Sequence, residues 1–274
     1  MSSDQITITP CTPHVGAEIG NIDLTKPLGE KLIRDVREAF LKHGVIFFRD
    51  QDISFEQHMT LARHFGPVHV HVGGEGTASK PVPDFPAIRR QHFDKDSKRI
   101  SGEVWHSDQS CAEIPPAGSI LHQKILPPDG GGDTLFMSAY AAYDALSQQM
   151  KDFLEPLTAV HDGAKLFDKS GTVYPRATHP VVIRHPETKR KLLFVNAGFT
   201  TRIVELPRDE GDAVLKFLYD HIAKPHWQMR FRWRPHSIAF WDNRCTQHFA
   251  IWDYWPNVRS GYRVQFEGIE RPSR

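Results

Sequence analysis

Three cysteines in 274 residues, Cys11, Cys111 and Cys245, are too few and too widely spaced for a disulfide framework or a thiolate zinc site. An excess of charge of either sign is also missing. With 34 basic and 33 acidic residues the net charge is +1, which leaves no electrostatic footprint for nucleic acid or an anionic membrane. No apolar run approaches the length that spans a bilayer, and the opening MSSDQITITP has neither the basic start nor the apolar stretch of a secretory leader. A cytoplasmic protein with reduced thiols is the expectation. There is no internal repeat, no low-complexity block and no linker rich in proline, glycine or serine, so residues 1–274 read as a single domain. At 39% hydrophobic and 24% charged residues, a chain of this length buries a sizeable core without staples.

What is present begins with helix signals. In GEKLIRDVREAFLKHG, Leu32, Ile33, Val36, Phe40 and Leu41 recur at helical spacing and Gly44 ends the pattern. VIFFRD follows as a buried strand. Ser54 and Gln57 then form a capping box ahead of a helix reaching about Gly66. The polar segment from about 72 to 101 shows neither period and reads as a long, lid-like loop. Beyond it, 118–125, 191–196, 229–234, 237–241 and 262–266 are short β-rich runs, interrupted by helices over roughly 139–157 and 209–222. The pattern predicts a mainly β protein with peripheral helices, most simply a double-sheet jelly roll.

Sixteen histidines are the one compositional excess. In VWHSDQS, His106 and Asp108 lie two apart, the spacing that sets two side chains on one face of a strand. An imidazole and a carboxylate converging with a second histidine would hold an octahedral metal on one face and leave positions open for a chelating co-substrate and dioxygen. By itself His-x-Asp fits a strand-end histidine beside a surface aspartate equally well. The C-terminal stretch RWRPHSIAFWDNRCTQHFAIWDYWPNVRSGYRVQ adds an apolar strand, a polar turn, His248, and two arginines, Arg259 and Arg263.

These motifs together resemble the taurine dioxygenase and 2,4-dichlorophenoxyacetate dioxygenase family of Fe(II)/2-oxoglutarate-dependent enzymes. Its signature includes WHxD, WDNRxTQH and an arginine eleven residues beyond that histidine, all of which stand in this sequence. TPHVGAEIGNIDL, GVIFFRDQ, PPAGSILHQKILPPDGGGDTLF and FVNAGFTTRI extend the resemblance over nearly the whole chain in family order. It implies a double-stranded β-helix, the cupin-like form of the jelly roll. His106, Asp108 and His248 would bind Fe(II), while Arg259 and Thr134 of GGDT would receive the far carboxylate of 2-oxoglutarate. Arg263, His71 and the aromatic Phe199 would meet the primary substrate. The reaction implied is O2-dependent hydroxylation of a small anionic compound, with release of succinate and CO2, by a homo-oligomer.

Trp105 and Trp241 read as packing residues, and His69, His122, His161, His179, His185 and His236 as structural or surface histidines. The taurine pattern itself is broken. Gly74 and Gly102 stand where the taurine enzyme carries a tyrosine and an asparagine for the substrate amine, and the stretch from Phe167 to Tyr174 is shorter. That favours a sulfonate, alkyl sulfate, phenoxy acid or related carboxylate over taurine, with taurine dioxygenase proper as the alternative. A metal-dependent hydrolase would use similar ligands but leaves Arg259 unexplained, and a non-catalytic jelly-roll binding protein has no need of all three ligands.

Overall fold

The computed structural model describes residues 5–69, 71, 79–100, 102–167 and 173–274. The chain enters through β1 (Thr7–Pro10) and β2 (Ala17–Gly20), then helix α1 (Glu30–His43), β3 (Val45–Phe48) and helix α2 (Phe55–Arg63). Helix α1 buries Val36, Ala39 and Phe40 and ends at Gly44, whose N–H donates to the Phe40 carbonyl at 2.9 Å. The capping box of α2 is formed: Ser54 Oγ accepts from the Gln57 N–H at 3.2 Å, and Gln57 Oε1 accepts from the Ser54 N–H at 2.8 Å. The helix stops at Arg63, a turn before Gly66.

Next come β4 (Ser79–Val82), β5 (Phe85–Phe93), β6 (Gly118–Ile125) and β7 (Thr134–Ser138), then helices α3 (Ala139–Asp144) and α4 (Gln148–Leu154). Strands β8 (Thr158–Asp162), β9 (Arg176–Pro180), β10 (Val182–Arg184), β11 (Lys191–Leu193) and β12 (Thr200–Ile203) lead to helix α5 (Arg208–Ile222). The chain closes with β13 (Gln228–Phe231), β14 (Ile238–Asp242), β15 (Thr246–Ala250) and β16 (Arg259–Phe266).

An eight-stranded sheet in the order β1-β2-β3-β14-β6-β16-β5-β4 faces smaller antiparallel sheets, among them β13-β7-β15 and β12-β8-β9. This is the double-stranded β-helix expected from the sequence. Between the sheets, Phe47 of β3 stacks on Phe231 of β13 with ring centroids 3.8 Å apart, in a cluster with Leu121, Phe136 and Trp241. The outer face of the large sheet is covered by α1 and α2, where Phe40 lies 4.4 Å from Phe240. A third cluster joins α3 and α5 to β8, β10 and β11.

Three expectations are corrected. Much of the segment read as a loop over 72–101 is a hairpin: β5 pairs with β4 and, on its other side, with β16. Strand β5 shows no hydrophobic alternation because it turns Arg89 and Gln91 toward a polar cavity instead of an apolar core. Positions 72–78, which include Gly74, and position 101 lie outside the described residues, as do 168–172 of the Phe167–Tyr174 stretch. The helix expected over 139–157 is two helices, because Ser147 caps a new start by accepting from the Met150 N–H at 3.2 Å. His106 belongs to a single β-bridge with His248, and Asp108 follows in a turn instead of sharing a strand.

Candidate active site

The His106 bridge fixes the site. The His106 N–H donates to the His248 carbonyl at 3.1 Å and the His106 carbonyl accepts from the His248 N–H at 2.9 Å, bringing the two imidazoles to 4.1 Å between ring centroids. His106 Nδ1 lies 2.8 Å from the Val104 carbonyl, so that nitrogen carries the proton and Nε2 keeps its lone pair. Asp108 Oδ1 lies 3.8 Å from His106 Nε2 and 3.9 Å from His248 Nε2. One ligand atom from each of the three falls within 4.8 Å of the others, and all three side chains are buried.

Electrostatics keep the group in ligand form. Burial is the largest influence on Asp108 and would raise its pKa, yet Arg263, the two histidines and Ser119 outweigh it and hold the carboxyl below the ordinary range. Burial depresses both His106 and His248, which stay neutral. Two neutral imidazoles and one carboxylate, each with a free lone pair facing a common point, fit an iron(II) ion.

Beneath Asp108 lies a network the sequence did not reveal. Oδ2 accepts from Ser119 Oγ at 2.7 Å and from Gln265 Nε2 at 3.1 Å; Ser119 Oγ in turn accepts from Asn243 Nδ2 at 2.9 Å. Trp241 Nε1 donates to Asn243 Oδ1 at 2.8 Å, so Trp241 packs 4.8 Å from the His248 ring while orienting this chain of bonds. Register explains the grouping, because Gln265 of β16 stands opposite Ser119 of β6. The available signal was Ser119, Leu121 and Gln123 alternating on one face of β6, two of them polar in a fully buried run.

Arg259 and Arg263 point from one face of β16 into the same cavity of about 1050 Å³. Arg263 Nη1 donates to Asp108 Oδ1 at 2.8 Å, so this arginine, expected to face substrate, also touches a member of the triad. Arg259 is buried, its Nε donating to the Gly132 carbonyl at 3.0 Å and its guanidinium lying 5.6 Å from the Trp233 ring. Gln123, with its amide oxygen toward Arg259, accepts from Nη1 at 2.9 Å and Nη2 at 3.0 Å. Gly132 has φ +82, and a Cβ there would come within 2.8 Å of Arg259 Cδ, which accounts for glycine in GGDT. Thr134, two residues on at the start of β7, lines the cavity and accepts from Trp233 Nε1 at 3.0 Å.

His71 and Phe199 also line the cavity. Phe199 is buried with its ring 6.4 Å from His106 and 5.3 Å from Phe167. His71 lies 5.6 Å from Phe167, and burial, then Arg263 and Arg89, push its pKa down to about 3. Arg89 of β5 is a cavity residue that the loop reading concealed.

Of the histidines set aside, His185 bonds Asp242 at 3.0 Å beside Arg244, and His161 Nδ1 lies 2.9 Å from Ser110 Oγ. His122 and His236 approach Asp52 closely enough for a metal, but the Lys124 ammonium already sits on that carboxylate.

Comparison with known proteins gives the family and the fold. The model of the taurine catabolism dioxygenase TauD, TfdA family matches residues 7–265. An alpha-ketoglutarate-dependent sulfonate dioxygenase of Saccharomyces cerevisiae is 36% identical over 287 residues, covering 98% of this chain and 68% of that protein. A crystal structure of a taurine dioxygenase from Burkholderia xenovorans superposes with a TM-score of 0.84 at 32% identity, over 96% of this chain and 91% of that one. That of AAD-2 in complex with Mn(II) and N-oxalylglycine gives 0.81 at 27% identity, over 98% and 100%.

Proposed function

Since the chain belongs to the TauD and TfdA family of dioxygenases and uses Fe(II), 2-oxoglutarate and O2, we propose that His106, Asp108 and His248 hold the iron and that its substrate is a small organic sulfonate or sulfate ester. One observation carries the reading. Arg259 and Arg263 stand four residues apart on one face of β16, a separation of about 13 Å at strand rise, with the triad beside Arg263. Two cations at that spacing in one cavity suit two anionic molecules at once.

The chemistry the bound iron supplies is oxygen activation coupled to conversion of 2-oxoglutarate into succinate and CO2, with hydroxylation of the substrate. The side chains do the rest. Arg259 and Thr134 receive the far carboxylate of 2-oxoglutarate, the guanidinium through two parallel charge-assisted bonds. Arg263 and neutral His71 receive the substrate anion, and Phe199 and Phe167 wall off water beside it. Ser119, Gln265 and Asn243 keep Asp108 oriented.

Taurine itself is disfavoured at Gly102. There φ is +84, and a Cβ would approach His106 Cε1 to 2.7 Å, so an amine-binding asparagine would displace the ring. Gly102→Ala is expected to weaken Fe(II) or Mn(II) binding about tenfold, an outer-contact effect, measured by metal titration; unchanged affinity would show that the ring does not need that space.

The function is tested by a screen of sulfonates, alkyl sulfates, phenoxy acids and related carboxylates for substrate-dependent succinate above background. Sulfonates or sulfate esters should stimulate it only with Fe(II) and oxygen, and chelation should abolish it. Stimulation by carboxylates alone would reject the substrate class, and ester turnover under nitrogen would reject the oxygenase role of this site.

A further inference from the structure

We propose that Asp52, His122 and His236 form a second metal site, on the face of the large sheet opposite the His106, Asp108 and His248 triad, which takes a late first-row divalent cation such as Zn(II). The site is independent of the substrate reading above and needs none of it.

Strand alternation supplies the placement. On β6, Ser119 reaches Asp108 and Leu121 lines the cavity, so His122 points the other way, beside Ile120 and toward α2, where the His58 ring lies 6.2 Å off. His236 stands in the turn before β14, its N–H donating to the Gln123 carbonyl at 3.0 Å. Its own carbonyl accepts from the Gln51 N–H at 2.9 Å, which sets Asp52 alongside. Three segments distant in sequence thus meet. One ligand atom from each lies within 4.8 Å of the others, and the two imidazoles are 6.0 Å apart between centroids.

Two buried nitrogens at this point are left without a hydrogen bond. His122 is 2% exposed, and its Nε2 has no partner among the described residues. His236 Nδ1 is unpartnered too, since Asp52 Oδ1 lies 3.2 Å away but off the line of a hydrogen bond. Buried polar atoms normally find partners, and a metal ion is one that serves both of these at once. His58 and His179 also leave one nitrogen over, but each holds a backbone carbonyl with the other, at 3.1 and 3.0 Å, and neither joins a set of three ligand atoms among the described residues. The His236 backbone is left-handed, with φ +58. Glycine or asparagine is the easy choice there, and the turn carries an imidazole instead.

Ionisation suits a ligand set. Burial first, and then Lys124, pushes the His122 pKa down to about 3, so its ring is neutral with a lone pair to give. Asp52 is an anion, held below the ordinary range by its bond to Lys124. Two imidazoles with one carboxylate disfavour Mg(II) and Ca(II), which prefer oxygen, and match Zn(II) with water as the fourth ligand on the solvent side. The Lys124 ammonium resting on Asp52 is the competitor. That contact is open to solvent at the carboxylate, which is 71% exposed, and contributes little. A divalent ion between two imidazoles displaces it, and the flexible lysine stem turns out to water. The bound ion staples the segment after β3, strand β6 and the turn before β14 behind Gln123, whose amide holds Arg259.

The test counts Zn(II) taken up by metal-free protein, by calorimetry against a competing chelator. Wild type should bind two equivalents, one at the triad and one here. His122→Gln should lose one of them, its affinity falling by more than about a hundredfold, beyond the cost of an outer partner of a ligand. Its Fe(II)-dependent succinate formation should hold in zinc-free buffer. Asp108→Asn should lose the other equivalent and keep this one. Lys124→Ala, which removes the competitor, should tighten this site by about threefold; histidines with a merely structural role predict no such gain. His236→Asn, compatible with the left-handed backbone, should repeat the loss, and it decides the matter should His122→Gln fail to fold. A single equivalent in wild type, or a second that survives both histidine variants, overturns the site. Unchanged affinity in Lys124→Ala overturns the part assigned to Asp52.

Discussion

Asp108→Ala is expected to abolish Fe(II)-dependent succinate formation and leave protein that desalts free of iron. Asp108 Oδ1 is the atom both imidazoles face, at 3.8 and 3.9 Å, so its removal takes away the anionic member of the donor set. Loss of an outer partner of a ligand costs about ten- to a hundredfold in metal affinity, and loss of the ligand itself should exceed that. The same change also strands Arg263, whose Nη1 bonds this carboxylate in a buried setting. Breaking a buried pair from one side costs on the order of 3–5 kcal/mol, so instability alone could mimic lost catalysis. Two companions separate the effects. Asp108→Asn keeps the shape and an acceptor for Arg263, and should stay folded while binding iron poorly. Asp108→Ala with Arg263→Met removes both charges and should regain part of the lost stability but no activity. Turnover by either Asp108 variant at normal iron content would overturn the ligand assignment.

How far this centre was legible from sequence follows from where its parts lie. His106, Asp108, His248 and Arg259 sit in short motifs whose spacing is visible in one dimension, and the structure brings the first three within 4.8 Å. The helices were legible where caps announce them, as at Ser54, and were misjudged where Ser147 restarts a helix inside one apolar pattern. Ser119, Gln265 and Arg89 were missed because their roles depend on register: Ser119 opposite Gln265, and Arg89 opposite Arg263. Alternation of apolar residues identifies a strand only when its inner face meets a core, and β5 meets a polar cavity instead. A functional strand therefore read as a loop.

The second large effect is expected at Arg259. Arg259→Ala should raise KM for 2-oxoglutarate by about a hundredfold, close to 2.7 kcal/mol, while the KM of the primary substrate moves by less than about threefold. The asymmetry follows from position. Arg259 is held by the Gly132 carbonyl, the Gln123 amide and the Trp233 face, and none of these contacts reaches Asp108 or Arg263. Iron content should therefore stay near the wild-type level. Arg259→Lys keeps a cation but gives up the planar fork, and an intermediate rise of about tenfold is expected. A change in general cavity potential would raise both KM values together, as would an exchange of roles between the two arginines, so parallel rises would reject the assignment. A second measurement is independent of folding yield. Wild type should favour 2-oxoglutarate strongly over 2-oxo acids of similar length that lack the far carboxylate, because only the former uses Arg259. In Arg259→Ala that preference should collapse toward unity through loss of the better co-substrate alone, and a preference that survives would place the carboxylate elsewhere in the cavity.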